Sequence, residues 1–190
     1  MIEIISIVLF AGLVLLVFGR AVMLRKRGIK VLVFGVTNKS DFLLMPIVAF
    51  LVYSILSCIF GFPFFNILKS VFFESNIIRF AGALLCASSL VWFGFALKSF
   101  GDSFRVGIDE KQPDKLVTAG MFGISRNPVY VAFIAFLFGM LCMYPNLSVF
   151  LGAAALFSAL HRQILREEKF LRGHYGEEYK AYCIRVRRYL

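Results

Sequence analysis

Residues 2–24 form one apolar run, interrupted only by Glu3 near its start and Arg20 near its end. A helix of about 20 apolar residues spans the hydrocarbon core of a bilayer. Further runs follow at residues 42–60, 77–97, 128–144 and 147–160. Backbone polar groups inside lipid must be satisfied within the segment, so runs of this kind are read as helices. The expected fold class is therefore all-α: a polytopic membrane protein with five transmembrane helices. The composition agrees, since 60% of residues are hydrophobic and 17% charged, against about 45–50% and about 25% in soluble chains.

The net charge of +10 is explained by where the cations lie. They gather at Arg25-Lys26-Arg27, along residues 98–126, and from Arg162 to Arg188, while Lys69 and Arg79 fall near the opposite side. Membrane proteins retain Lys and Arg in cytoplasmic segments. The positive charge follows the first run, whereas a cleaved signal peptide carries it before. That order predicts a retained anchor, an N-terminus outside, residues 25–39 in the cytoplasm and a cytosolic C-terminus. No recognition helix or aromatic-basic ribbon argues for nucleic acid. Gly61-Phe62-Pro63 begins an exposed loop containing Lys69 and Glu74, and Pro145-Asn146 is a turn between the last two runs. The fourth run is short for a full crossing. Cys58, Cys86, Cys142 and Cys183 show no metal or disulfide spacing and read as small buried apolar residues.

At 190 residues a single integral membrane domain is expected. Its N-terminal part, 1–98, supplies spans, so chemistry must be built from 99–190. Two stretches there are too polar for lipid. The first, residues 99–126, is punctuated by Gly101, Gly107, Gly120 and Gly123 and leads into Asn127-Pro128. Asn127 suits a helix N-cap and Pro128 the first helical position. A helix start at the membrane surface offers N–H groups and a positive dipole end to an anionic ligand group. Gly120 and Gly123 would let backbone approach that ligand closely. The plainer alternative is a helix start with Arg126 at the lipid headgroups.

The second stretch is His161-Arg162-Gln163-Ile164-Leu165-Arg166-Glu167-Glu168. As a helix, at least over residues 163–171, it places Gln163 with Glu167 and Arg162 with Arg166 on shared faces. A carboxylate such as Glu167 suits ribose hydroxyls or an amino group, and Arg162 or Arg166 suits an anionic acceptor. The alternative is a solvated interfacial helix. His161 reads as a polar residue at the end of a span, and Tyr175, Tyr179 and Tyr182 as interfacial aromatics. No GxGxxG, P-loop, HExxH or GxSxG is present, and no metal site is expected.

Taken together, the two stretches resemble the isoprenylcysteine carboxyl methyltransferase family. Its pattern is an LVTxGxYxxxRHPxY-like run, a membrane hairpin, then Glu-Glu followed by FGxxYxxY. Here the sequence reads Leu116-Val117-Thr118-Ala119-Gly120-Met121-Phe122, then Arg126-Asn127-Pro128-Val129-Tyr130, Glu167-Glu168, and Tyr175-Gly176-Glu177-Glu178-Tyr179-Lys180-Ala181-Tyr182. The family's His stands as Asn127 and its Tyr as Phe122.

The resemblance implies a cytosolic S-adenosylmethionine pocket formed by the 99–130 connection and the C-terminal helices, with S-adenosylhomocysteine as product. The cofactor candidates are Leu116, Val117, Met121, Phe122, Arg126, Asn127, Pro128, Tyr130, His161, Glu167 and Glu168. Arg162, Arg166 and Glu167 are the candidates for catalysis, an arginine steering the acceptor. The implied acceptor is the carboxylate of a prenylcysteine-like amphiphile entering from the bilayer. A carboxylate is deprotonated at neutral pH and needs no general base, so alignment is the protein's main contribution. Alternatives are a phospholipid or other lipid N-methyltransferase and an NADPH-dependent enzyme of the sterol-reductase type. A monomer among membrane lipids is compatible with the sequence.

Overall fold

The computed structural model describes residues 1–26, 44–101 and 116–190. Among them lie α1 (Ile2–Lys26), α2 (Leu44–Phe60), α3 (Asn76–Phe100), α4 (Pro128–Met143) and α5 (Leu147–Arg185), with 3-10 turns at Asn66–Lys69 and Gly120–Gly123. The helices fall on the five apolar runs. The basic loop expected up to residue 39, Arg27 included, and the part of the connection containing Gly107 lie outside the described residues. Three helices, α1, α3 and α5, are long and apolar enough to cross a membrane. Helices α2 and α4 have 17 and 16 residues. At about 1.5 Å per residue, α4 reaches roughly 24 Å against a hydrocarbon core of about 30 Å.

One expectation is extended. The fifth run does not stop where its apolar stretch ends near residue 160. It continues as helix through the charged tail to a kink at Gly176 (φ 52°, ψ −120°), beyond which a second helical stretch runs to Arg185. Side chains rarely adopt that left-handed backbone, so a glycine is suited to redirecting the helical residues that follow.

Small residues bring α3 and α4 together. A Cβ on Gly82 would lie 2.6 Å from the Gly139 carbonyl oxygen, and one on Gly139 would lie 2.5 Å from Cys86 Sγ. Backbones this close make van der Waals packing the main cohesive force between helices in lipid. Cys86, fully buried, donates from Sγ to the Phe136 carbonyl at 3.4 Å. The reading of all four cysteines as buried holds for Cys86 and fails for Cys58, which is exposed. On α2, Leu51 packs against Gly152 of α5. Helix α1 is the least covered: Leu15 is 72% and Phe18 65% exposed, a surface suited to lipid.

The two ends of the bundle differ. At one end, the loop after α2 pairs with the α4–α5 turn, through Phe72 N to Pro145 O at 2.8 Å and Leu147 N to Ser70 O at 3.0 Å. Asn146 caps α5, its Oδ1 accepting from Val149 N at 2.9 Å. Ser6 of α1 joins Tyr144 OH there at 2.7 Å. At the other end, Arg20 of α1 donates to the Gly101 carbonyl, and Ser99 Oγ accepts from Met121 N at 3.1 Å. The second end also carries residues 116–127 and the long extension of α5.

Candidate functional site

Gly120 begins the site's first wall. Its φ is +63°, and a Cβ there would meet Ser99 Oγ at 2.5 Å. Only glycine allows both the turn and the close approach to α3. Beyond it, Phe122 is buried edge-on against Phe100, ring centroids 4.9 Å apart, and its carbonyl accepts from Tyr182 OH at 2.6 Å. Burial pushes the Tyr182 hydroxyl up to about 12, so it stays a donor at neutral pH. Leu116 packs against the buried Tyr179, Tyr182 and Val186. Tyr179 and Tyr182 are therefore core residues, a correction to their reading as interfacial aromatics: the last turns of α5 fold back over the 116–123 segment. Their desolvation, first, and then the charge of Glu168 raise the Tyr179 hydroxyl too.

Two neighbouring glutamates receive the next residues of the motif on different faces of α5. Glu168, 5% exposed, accepts at Oε1 from Arg126 Nη2 (3.1 Å) and Asn127 Nδ2 (3.2 Å), and at Oε2 from Arg188 Nη2 (2.9 Å). Burial alone would raise its carboxyl, but the bonds from Arg188 and the charge and bonds of Arg126 outweigh this and hold it below the ordinary value. The same residues hold the C-terminal segment. Arg126 Nη1 donates to the carbonyls of Val186 (2.8 Å) and Cys183 (3.2 Å), and its backbone N–H to Arg187 O (2.9 Å). Ser125 Oγ and Asn127 Nδ2 both donate to Arg188 O.

Glu167, one residue earlier, accepts from Tyr130 OH at 2.6 Å and from Gln163 Nε2 at 3.1 Å. Gln163 and Glu167 share a face as their spacing predicts. Tyr130 is two residues into α4, so this bond joins the start of one helix to the middle of another.

Asn127 occupies the N-cap position of α4, but its side chain makes no capping bond. The amide is turned to Glu168, which corrects its reading as a capping side chain. The first N–H groups of α4 thus receive nothing from it. Pro128 is buried, and its carbonyl accepts from Trp92 Nε1 at 2.9 Å. Val117 is half-buried on the same segment. His161 Nδ1 meets Tyr189 OH at 2.5 Å and its ring stacks on Phe157. Arg162 and Arg166 share an exposed face of α5, away from the Glu167 side.

Sequence reasoning did not single out Arg188, Tyr189, Ser125 or Ser99. For Arg188 no pattern distinguishes it from Arg185 and Arg187. A helical stripe did exist for Tyr175, Tyr179, Tyr182 and Val186 at i, i+4, i+7 and i+11. Among the described residues, no group of three His, Cys, Asp or Glu side chains is placed to hold a metal.

Three helices long and apolar enough to cross a bilayer, with a polar cluster at one end of the bundle, define an integral membrane protein. The sequence profile of the phospholipid methyltransferase family matches residues 77–178, over half of the chain, and the protein belongs to that family. The family takes in the isoprenylcysteine carboxyl methyltransferases that the motifs resemble. Two rice proteins, from Oryza sativa subsp. indica and subsp. japonica, each described as a probable protein-S-isoprenylcysteine O-methyltransferase, are 28% identical over 116 residues. The match covers 60% of this chain and 61% of each relative, so the chain spans less than two thirds of their length.

Proposed function

We propose that this protein transfers a methyl group from S-adenosylmethionine to a lipid-like acceptor in the bilayer, most favourably the carboxylate of a prenylcysteine-like amphiphile. The observation that carries the reading is the Tyr130–Glu167 bond. It draws the start of α4 and the Glu-Glu segment of α5 into one polar site, which the separation of the two in sequence did not require.

The residues fit the cofactor. Bound there, it supplies a methyl group already activated on a sulfonium. Glu167 offers a carboxylate to hydroxyl or ammonium donors, and Tyr130 and Gln163 fix its orientation. The first turn of α4, uncapped by Asn127, offers N–H groups to a carboxylate. Leu116, Val117, Met121, Phe122 and Pro128 form the apolar flank. Arg126, Asn127 and Glu168 hold that flank to α5, and His161 with Tyr189 closes the side toward the chain's end. Arg162 and Arg166 lie exposed near the lipid boundary, where they attract an anionic acceptor. Excluding water from between these walls strengthens every charge that aligns the reactants.

In this reading residues 1–98 are spans and 99–190 the catalytic region of one domain. All five helices cross, with α2 and α4 helped by local thinning or tilt of neighbours. The cation-rich end, with Arg25, Lys26, Lys98 and the α5 extension, faces the cytosol, and the chain acts as a monomer.

The family description favours one second reading, transfer to the amine of a phospholipid. An amine must first lose a proton, and the site's carboxylates are both engaged. Methyl-labelled cofactor offered with a prenylcysteine mimic and with aminophospholipid vesicles separates the two. Label released as methanol by base identifies a carboxyl ester and supports the proposal. Base-stable label in the lipid headgroup establishes the second reading. No transfer to either acceptor contradicts both.

A further inference from the structure

Arg20 lies outside the site described above, and its one bond to the rest of the bundle among the described residues is to the Gly101 carbonyl. It is the one cation within the apolar part of α1. The α1 residues that pack into the cluster of α3 and α4 are Leu13, Leu16, Val17, Ala21 and Leu24. Position 20 lies on their stripe, seven after Leu13 and four before Leu24. An ionised side chain on the inward face of a membrane helix is costly and marks a functional position by default.

Its bonding is incomplete. One terminal nitrogen donates to the Gly101 carbonyl, and the other contacts Met23 Sδ at 3.6 Å. The Nε–H is buried and has no hydrogen-bond partner among the described residues. The bond to Gly101 caps α3, but capping alone does not require a guanidinium with a buried donor left over. Buried donors without partners are rare and ask for an explanation.

The location supplies one. Gly101 directly follows Ser99 and Phe100, the two residues that receive Met121 and Phe122 of the proposed cofactor wall. The cluster that α1 packs into here includes Val129 and Phe133 of α4, one residue before Tyr130 and three after it. Helix α1 is also the least covered of the three helices long enough to cross a membrane, so lipid lies directly against its outer face at this corner.

We infer that the Arg20 guanidinium, through its buried unpaired Nε–H at the α1–α3–α4 corner, receives the anionic head of the acceptor arriving from the bilayer, a carboxylate or a phosphate. The planar fork of arginine matches both groups, and the surrounding apolar side chains leave the attraction little screened. The inference rests on the methyl-transfer reading only in calling the bound molecule an acceptor. Arg162 and Arg166 then attract the anion at the surface, and Arg20 seats it.

The test is equilibrium binding to the detergent-purified full chain. The probes form two pairs: an N-acetyl-S-farnesyl cysteine with its methyl ester, and a short-chain phosphatidic acid with the matching diacylglycerol. The first pair reports a carboxylate, the second a phosphate. One pair is expected to show about tenfold tighter binding of the anionic member, the gain of a desolvated charge-assisted contact. Arg20→Gln is expected to bring that ratio to about one while S-adenosylhomocysteine affinity stays as in the wild type. Arg20→Lys, with the charge but not the fork, is expected to lie between. Arg79→Gln is the control. Arg79 has the same unpaired buried Nε but sits in the first turns of α3 at the far end, and the ratio should persist. No anionic preference in either pair, or one that survives both Arg20 variants, overturns the inference. An Arg20-dependent preference in a wild type that binds no S-adenosylhomocysteine leaves the inference standing and removes the methyltransferase reading alone.

Discussion

Glu167 and Glu168 are adjacent in sequence and alike in chemistry, yet they serve different sides of α5. Glu168 is enclosed by Arg126, Asn127 and Arg188, and the bonds around it tie the loop before α4 to the last residues of the chain. Glu167, half-buried, takes Tyr130 and Gln163. One residue along a helix is about 100° of rotation, so one carboxylate points into a clamp and the other toward Tyr130 at the start of α4. The comparison teaches that a pair of acidic residues in such a motif divides its labour. One ties the start of α4 and the end of the chain to α5, and the other is the carboxylate that the proposed function assigns to the ligand.

Breaking the clamp should have the largest effect. Glu168→Ala leaves two arginines without their partner in a buried place. Loss of one member of a buried ion pair costs about 3–5 kcal/mol. Arg188 is 36% exposed and regains water, so the low end, about 3 kcal/mol, is expected. Thermal unfolding in a fixed detergent checks this. Cofactor binding should fall as well, because Arg126 and Asn127 would no longer hold the start of α4.

Acid should loosen the same clamp. The Glu168 carboxyl is held below its ordinary value of 4.5. Its contribution is therefore fully present above that value and is lost as pH falls through the lower folded value. The difference in unfolding temperature between wild type and Glu168→Gln should be constant from about pH 7 to about pH 5 and shrink below about 4.5. A difference that grows on acidification would contradict the assignment.

The smallest effect is expected from Arg162→Ala. Exposed cations act through water and are screened by salt. Stability should change by less than about 0.5 kcal/mol. Acceptor KM should rise about two- to threefold at low ionic strength, and the rise should vanish near 0.5 M salt. A large, salt-independent loss would move Arg162 into the site itself.

The fold was largely legible in the sequence because lipid imposes a simple rule. Apolar runs at residues 2–24, 77–97 and 128–144 became helices with nearly those limits. The contacts between them were less so: nothing in the spacing of Gly82 and Gly139 announces that their backbones meet. In the candidate site, the pairing of Gln163 with Glu167 followed from helical spacing, whereas that of Tyr130 with Glu167 required the tertiary fold. Asn127 fitted the preferences of an N-cap, but a buried carboxylate on the next helix competes for the same amide and wins. Arg188 was hidden among exposed cations, since sequence marks charge and not direction.

The central claim is that the Glu167 side of α5 binds the cofactor while the Glu168 side holds the fold. The most direct test is calorimetric titration of S-adenosylhomocysteine into the detergent-purified wild type and Glu167→Ala, with unfolding temperatures measured on the same samples. The account predicts binding to the wild type, weakened about tenfold or more in the variant by loss of charge-assisted bonds, at nearly unchanged unfolding temperature. Undiminished affinity in a folded Glu167→Ala protein, or no binding to a folded wild type, would contradict it.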